Sequence, residues 1–132
     1  MIIDTSAILV ILCGEAGSLD YIQALAPDTN RLVSAPTMIE TSIVCLKRFG
    51  EVGLNELDLF AYKAGLKIIP FDDVLYNLAR KAFAKYGKGI SAAGLNFGDC
   101  FTYALAKYTG EAILAKDPVF ASTDIRILDV ED

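Results

Sequence analysis

No histidine occurs anywhere in this chain. That absence removes the Ser-His-Asp and Cys-His constellations and every zinc site built on imidazole. Cysteine is scarce. Cys13, Cys45 and Cys100 are odd in number, far apart and without a C-x-x-C pair, so neither a disulfide framework nor a thiolate metal site is expected. All three stand in apolar context and read as small core residues. Long hydrophobic runs are missing too. The longest, "AILVILC" from Ala7 to Cys13, falls far short of the ~18 residues of a membrane span. No basic stretch precedes it, and Asp4 stands where a secretory signal carries positive charge, so the expected location is the cytoplasm. Repeats, low-complexity tracts and linkers are absent, and the 132 residues read as one domain, 1–132. Positive charge is in deficit, with 12 Lys and Arg against 17 Asp and Glu and a net charge of −5. This argues against a general electrostatic grip on nucleic acid, but leaves contact through metal ions open.

What the chain does have is apolar content. At 54% it suffices for a core without staples and is compatible with a further buried partner surface. "MIID" reads as a short buried strand with an acid at its tip, and "SAILVILCG" as a helix stopped by Gly14. "SLDYIQALAPD" is a second helix, and "RLVSA" a second strand. "PTMIETSIVCLKRFG" carries Ile39, Ile43, Leu46 and Phe49 at helical spacing and ends at Gly50. "LNELDLFAYKAG" is a further helix, "LKIIPF" a third strand and "DDVLYNLARKAFAKYG" a long amphipathic helix. After the loop "KGISAAGLN" come a helix, "FGDCFTYALAKYTG", a fourth strand, "EAILAK", and a candidate fifth, "IRILDV". Near-continuously apolar strands alternating with helices imply a three-layer α/β sandwich with a central parallel sheet of four to five strands. Ligands of such sheets gather at the carboxyl ends of the strands.

Four acids fall at similar places in this pattern. Asp4 ends strand one, Glu40 lies in the first turn after "RLVSA", Asp99 opens the helix after the long loop, and Asp117 follows "EAILA". Each has a purely local explanation, because acids are favoured at helix N-termini. Thr37–Glu40 and Asn96–Asp99 both fit a capping box, Asp4 fits a cap for a helix at Thr5, and Asp117-Pro118 fits an N-cap followed by proline. Collectively they imply more. Two unit charges about 4 Å apart repel by ~4 kcal/mol at an effective dielectric of ~20. Four converging carboxylates therefore require protonation or a cation. With no imidazole and no paired thiolates, oxygen ligands suit Mg²⁺ or Mn²⁺. Carboxylate-held ions of this kind activate water for in-line attack on a phosphodiester.

Four segments, "IIDTSAIL", "SAPTMIETSIVCLKRFG", "YGKG…GLNFGDCFTYALAK" and "ILAKDPVFASTDI", taken in this order and spacing, make the chain resemble the PIN-domain ribonucleases of the VapC type, toxins of bacterial and archaeal toxin–antitoxin pairs. The resemblance covers essentially the whole chain. It implies a PIN-like fold and Mg²⁺-dependent (or Mn²⁺-dependent) hydrolysis of RNA, leaving 5′-phosphate and 3′-hydroxyl ends. It implies that Asp4, Glu40, Asp99 and Asp117 are catalytic and metal-binding, and that Ser6 hydrogen-bonds a carboxylate or the attacking water. Many relatives carry a further acid where this chain has Val119, so Asp124 in "STDI" is a candidate additional acid, to assist Asp117 or replace it; its local explanation is a loop acid before the last strand. The resemblance further implies a cognate antitoxin protein, usually one whose tail covers the active site, and a homodimer. An acidic protein that admits RNA needs local cations. Lys47, seven residues past Glu40, Lys88 in its Gly-rich loop and Lys116 beside Asp117 are the candidates, each also readable as a solvated surface lysine. Two readings compete. A haloacid-dehalogenase-like phosphatase fits "IIDTS", but that chemistry wants a second acid where Ser6 stands. A non-catalytic PIN-like binding module would not need all four acids.

Overall fold

Strands and helices alternate as the apolar pattern implies. The computed structural model describes residues 1–130. Strand β1 (Ile2–Ile3) leads into helix α1 (Thr5–Leu12) and then α2 (Ser18–Leu25). Strand β2 (Leu32–Ser34) feeds α3 (Ala35–Lys63), and β3 (Lys67–Ile69) feeds α4 (Asp73–Tyr86). Helix α5 (Phe97–Thr109) returns the chain to β4 (Ile113–Leu114), which runs into a short 3₁₀ turn, Pro118–Ser122.

All pairings are parallel, in the order β3-β2-β1-β4. Ile2 stands opposite both Leu32 and Ile113, and Ile3 opposite Leu114. Because side chains alternate across a strand, each short strand feeds both faces. Ile2, Leu32 and Ile113 pack against Leu105, Leu95 and Phe120 on the side of α4 and α5. Ile3, Val33 and Leu114 pack against Ile8, Met38 and Leu57 on the side of α1, α2 and α3. The result is the expected three-layer α/β sandwich. β3 is one of the two edge strands, with Lys67 and Ile68 exposed. A charged residue on an edge discourages pairing with another chain.

Four details depart from the sequence reading. The segment "IRILDV" contributes a single bridge, Ile127 to Ile113, rather than a fifth strand. β4 is only two residues long and turns away at once, leaving little edge to pair with. The two helices expected on either side of Gly50 are one helical span broken at that glycine. Its φ of 65° and ψ of −152° suit glycine almost alone. The Thr37–Glu40 capping box does not form. Pro36 takes a first-turn position, α3 starts at Ala35 with Ser34 as its cap residue, and Thr37 is already inside the helix. Lastly, Cys13 is half-exposed, while Cys45 and Cys100 are buried as expected. The Asn96–Asp99 box does form, with Asn96 Oδ1 accepting from the Asp99 N–H at 2.8 Å and Asp99 Oδ2 from the Asn96 N–H at 2.9 Å.

Helix α5 is the centre of the design. Gly98 to Cys100 and Thr102 to Ala106 are all buried, so it is enclosed on most sides, as a helix apolar around most of its circumference must be. Among the described residues no helix is long and apolar enough to cross a membrane. Truncating Leu105, which is fully buried on α5, to alanine is expected to cost about 2–5 kcal/mol in urea unfolding. The same change at half-exposed Leu59 is expected to cost under about 1 kcal/mol.

Candidate active site

The strand order dictates where a crevice opens. From β1 the chain steps outward to β2 and β3, then returns to place β4 on the other side of β1. The carboxyl ends of β1 and β4 thus flank a topological switch point, where neighbouring connections diverge and leave a gap. Asp4 follows β1 and Asp117 follows β4, so the two stand on either side of it. Helix α3 brings Glu40 to the same edge from β2, and the N-terminus of α5 brings Asp99.

Asp4 is buried, and both of its oxygens are held. Thr102 Oγ1 donates to Oδ1 at 2.7 Å. The Ser6 hydroxyl and amide donate to Oδ2 at 2.7 and 3.1 Å. Ser6 Oγ also accepts from the amides of Lys116 and Asp117, at 2.9 and 3.3 Å. One hydroxyl therefore joins the first acid to the turn that carries the fourth. Asp117 caps that turn, its Oδ1 accepting from the Val119 N–H at 3.1 Å.

Glu40 is exposed as a residue, yet its carboxylate is fixed. Thr5 Oγ1 donates to Oε1 at 2.9 Å. The Thr5 and Thr41 hydroxyls are 2.9 Å apart, and Thr41 also reaches the Thr37 carbonyl at 2.9 Å. Each hydroxyl has one proton to give. With Glu40 ionised, the Thr5 proton serves the carboxylate and the Thr41 proton is shared between its two acceptors. The carboxylate also leans on α5 at Gly98. A Cβ added there would collide with it, standing 3.0 Å from Oε1 and closer still to Oε2. Gly98 is the space that lets Glu40 approach the helix bearing Asp99.

Asp99 is buried at the first turn of α5. Its carboxyl is pushed up from 3.8 to about 6. Burial is the largest cause; the Asn96 N–H opposes it, and the charges of Asp4, Asp117 and Glu40 raise it further. Beside it, burial and the Asp99 charge push the Cys100 thiol up to about 11, which makes it an inert core group.

The structure brings Asp4, Ser6, Glu40, Asp99 and Asp117 together. It separates Asp124 from them. Tyr103 Oη and Lys107 Nζ donate to the two Asp124 oxygens at 2.6 and 2.7 Å, and first Lys107, then Tyr103, hold this carboxyl down at about 2. Both Asp124 oxygens are thus occupied by side chains of α5. Lys116 is exposed and its Nζ is engaged by Glu15 at 3.3 Å. Lys47 lies exposed on α3, and Lys88 is exposed in the α4–α5 loop, its amide donating to the Leu95 carbonyl at 2.8 Å. Sequence reasoning passed over Thr5, Thr37, Thr41 and Thr102. Their signal was present in part: Thr37 and Thr41 are four apart on α3, and Thr102 lies three residues past Asp99 on α5.

Among the described residues no three carboxylates or thiols already stand at metal-ligand spacing around one point. The donor set is carboxylate oxygen alone, a set that suits a hard divalent cation. An apolar cleft of about 410 Å³ lies beside it, lined by Pro36, Ile39, Glu40, Ile43, Phe97 and Phe101 among others. Phe97 is 78% exposed at its rim.

The raised Asp99 pKa has a defined sign in the metal-free protein. Its stabilising contribution is full below the unfolded value near 3.8 and is lost as pH rises through about 6. A shift of this size corresponds to roughly 3 kcal/mol. Melting of metal-free protein is therefore expected at a higher temperature at pH 5 than at pH 7.5, and Asp99→Asn is expected to flatten that difference.

A scan against family models matches the PIN domain over residues 1–126. Ribonuclease VapC of Mycolicibacterium smegmatis is 44% identical over 95% of this chain and 97% of its own length. Ribonuclease VapC30 of Mycobacterium tuberculosis is 42% identical over 95% of each. Among solved structures, VapC20 of Mycobacterium tuberculosis, described as a toxin cleaving the sarcin-ricin loop, superposes with a TM-score of 0.79 at 15% identity, covering 96% of this chain and 97% of that one. The Rickettsia felis VapBC2 complex bound to a promoter DNA fragment gives 0.77 at 15% identity, covering 99% and 98%. At such identities these likenesses speak to the fold, which agrees with the PIN-like architecture expected from the sequence.

Proposed function

Because this chain belongs to the PIN domain family and has VapC ribonucleases among its relatives at 42–44% identity, we propose that it is a VapC-type endoribonuclease toxin that hydrolyses RNA phosphodiester bonds in its acidic crevice. The observation that carries this reading is the gathering of Asp4, Glu40, Asp99 and Asp117 at one switch point. Capping accounts for single acids but not for their convergence, and Asp99 is ionised only against its burial and the charge of the other three.

Asp4, Asp99, Glu40 and Asp117 would hold Mg²⁺ or Mn²⁺. Once bound, such an ion lowers the pKa of its water and offsets charge on the phosphodiester. The chain's own groups do the rest. Thr102 and Ser6 hold the Asp4 carboxylate in one orientation, with both oxygens still offering lone pairs to the crevice. Thr5 does the same for Glu40. The Asn96 N–H occupies Oδ2 of Asp99 and leaves Oδ1 for a ligand. Without a cation the four charges repel the phosphates of RNA, so substrate binding and metal binding are coupled. The exposed lysines Lys47 and Lys88 are the cations available to phosphates flanking the scissile bond. The apolar cleft beside Glu40, with Phe97 at its rim, suits burial by a partner chain, and an antitoxin protein is the partner the family implies. A homodimer is likewise proposed on the family's habit.

The phosphatase reading fails at Ser6, which stands where that chemistry needs an acid and is committed to Asp4 and two amides. Asp99→Asn keeps the helix cap, since an amide oxygen accepts from the Asn96 N–H as a carboxylate does. It is expected to lower the RNA-cleavage rate by at least 10²-fold in Mg²⁺ while melting at or above the wild-type temperature. EDTA is expected to stop wild-type cleavage, and Mn²⁺ to restore it. Cleavage by pure, folded Asp99→Asn protein at the wild-type rate would remove Asp99 from the site.

A further inference from the structure

Asp124 is the acid that the crevice does not use, and both of its oxygens are occupied by α5. Tyr103 Oη donates to Oδ1 at 2.6 Å and Lys107 Nζ to Oδ2 at 2.7 Å. Asp99, Tyr103 and Lys107 follow one another at four-residue intervals, so they run along one face of that helix. The face that presents Asp99 to the crevice grips Asp124 further along.

Asp124 closes the segment that Asp117 opens, and three fastenings hold that segment. At its start Ser6 Oγ accepts from the amides of Lys116 and Asp117. In its middle Phe120 is fully buried among Tyr103, Ala104 and Ile113. At its end stands Asp124. Between the first and last lies the 3₁₀ turn Pro118–Ser122, closed by the Thr123 hydroxyl donating to the Phe120 carbonyl at 2.7 Å. A short 3₁₀ turn has poorer hydrogen-bond geometry than an α-helix, so its fastenings to the rest of the fold weigh more in fixing it. Ser6 at its start and α5 at its end tie it to the rest of the fold, and Asp117 is its cap residue.

We infer that Asp124, clamped by Tyr103 and Lys107, is a positioning residue that sets Asp117 against Asp99 and thereby sets the affinity of the crevice for its divalent cation. This rests on the metal-dependent reading above. Asp124 touches neither substrate nor reacting atoms. Its charge is compensated by Lys107, so the effect passes through geometry rather than through the field at the crevice.

Geometry and field make opposite forecasts. Removing the Lys107 cation leaves the crevice more negative, which on a field account tightens cation binding. On the latch account Lys107→Met and Asp124→Asn both loosen it. Outer groups that orient metal ligands typically alter affinity 10–100-fold, and a group one step more remote belongs at the low end. Titration calorimetry of Mn²⁺ into metal-free protein is therefore expected to show about tenfold weaker binding for Asp124→Asn and for Lys107→Met, with smaller loss for Tyr103→Phe. Lys107 is half-exposed, so Lys107→Met folds whether or not Asp124→Asn does. Both variants within twofold of wild type, or tighter binding by Lys107→Met, would overturn the latch while leaving the ribonuclease reading intact. A wild-type chain that binds no Mn²⁺ would overturn the metal reading and the latch with it.

Discussion

Carboxylates brought into one crevice repel one another, and most of the polar architecture of this protein exists to keep four of them there. Asp4 and Asp99 are buried, and burial penalises charge before any neighbour is considered. The offsetting donors are almost all hydroxyls and backbone amides: Thr102 and Ser6 on Asp4, Thr5 on Glu40, the Asn96 amide on Asp99, the Val119 amide on Asp117. Neutral donors fix the carboxylates without cancelling their charge. A lysine or arginine in the same positions would have neutralised the crevice and left nothing for a cation to do. Two cations on the segments that carry the acids, Lys116 and Lys107, are paired instead with Glu15 and Asp124.

The fold supplies this arrangement through topology rather than through long strands. β1 and β4 have two residues each, yet they fix the site because the chain order places them side by side with connections leaving in opposite directions. Each of these residues faces one of two cores, so a shift of one position would exchange Ile2 with Ile3 and move Asp4 off the edge. Helix α5 joins the two concerns. Its buried apolar positions fill the core under the sheet, and on the same helix Gly98, Asp99 and Thr102 serve Glu40, the crevice and Asp4. The apolar cleft around Phe97 and Phe101 lies where α3 and α5 meet, directly beside Glu40. A partner that covered it would also cover the mouth of the site.

Much of this was legible in the sequence. The alternation of strands and helices follows from apolar runs and their Gly and Pro boundaries. The Asn96–Asp99 box follows from spacing, and the four acids from their position after strands. What was not legible has physical reasons. Thr37–Glu40 has the spacing of a capping box, but Pro36 had already started the helix, so Thr37 turns inward towards Thr102. Asp124 has the sequence context of a fourth ligand, and only the three-dimensional row of Asp99, Tyr103 and Lys107 shows that α5 holds it. The four buried threonines look like ordinary semi-polar core residues in one dimension. Their role appears only when elements far apart in sequence bring Thr5 onto Glu40 and Thr102 onto Asp4, with Thr41 and Thr37 bonded behind them.

The central claim is that these four acids form one divalent-cation site at the β1–β4 switch point. It is tested most directly by crystals of the full chain soaked in millimolar Mn²⁺, with the ion located by anomalous diffraction. The account predicts density in the crevice coordinated by Asp4 and Asp99, with Glu40 or Asp117 completing the protein ligands and Asp124 still bound to Tyr103 and Lys107. An empty crevice at that concentration, or Mn²⁺ bound at Asp124 instead, would contradict it.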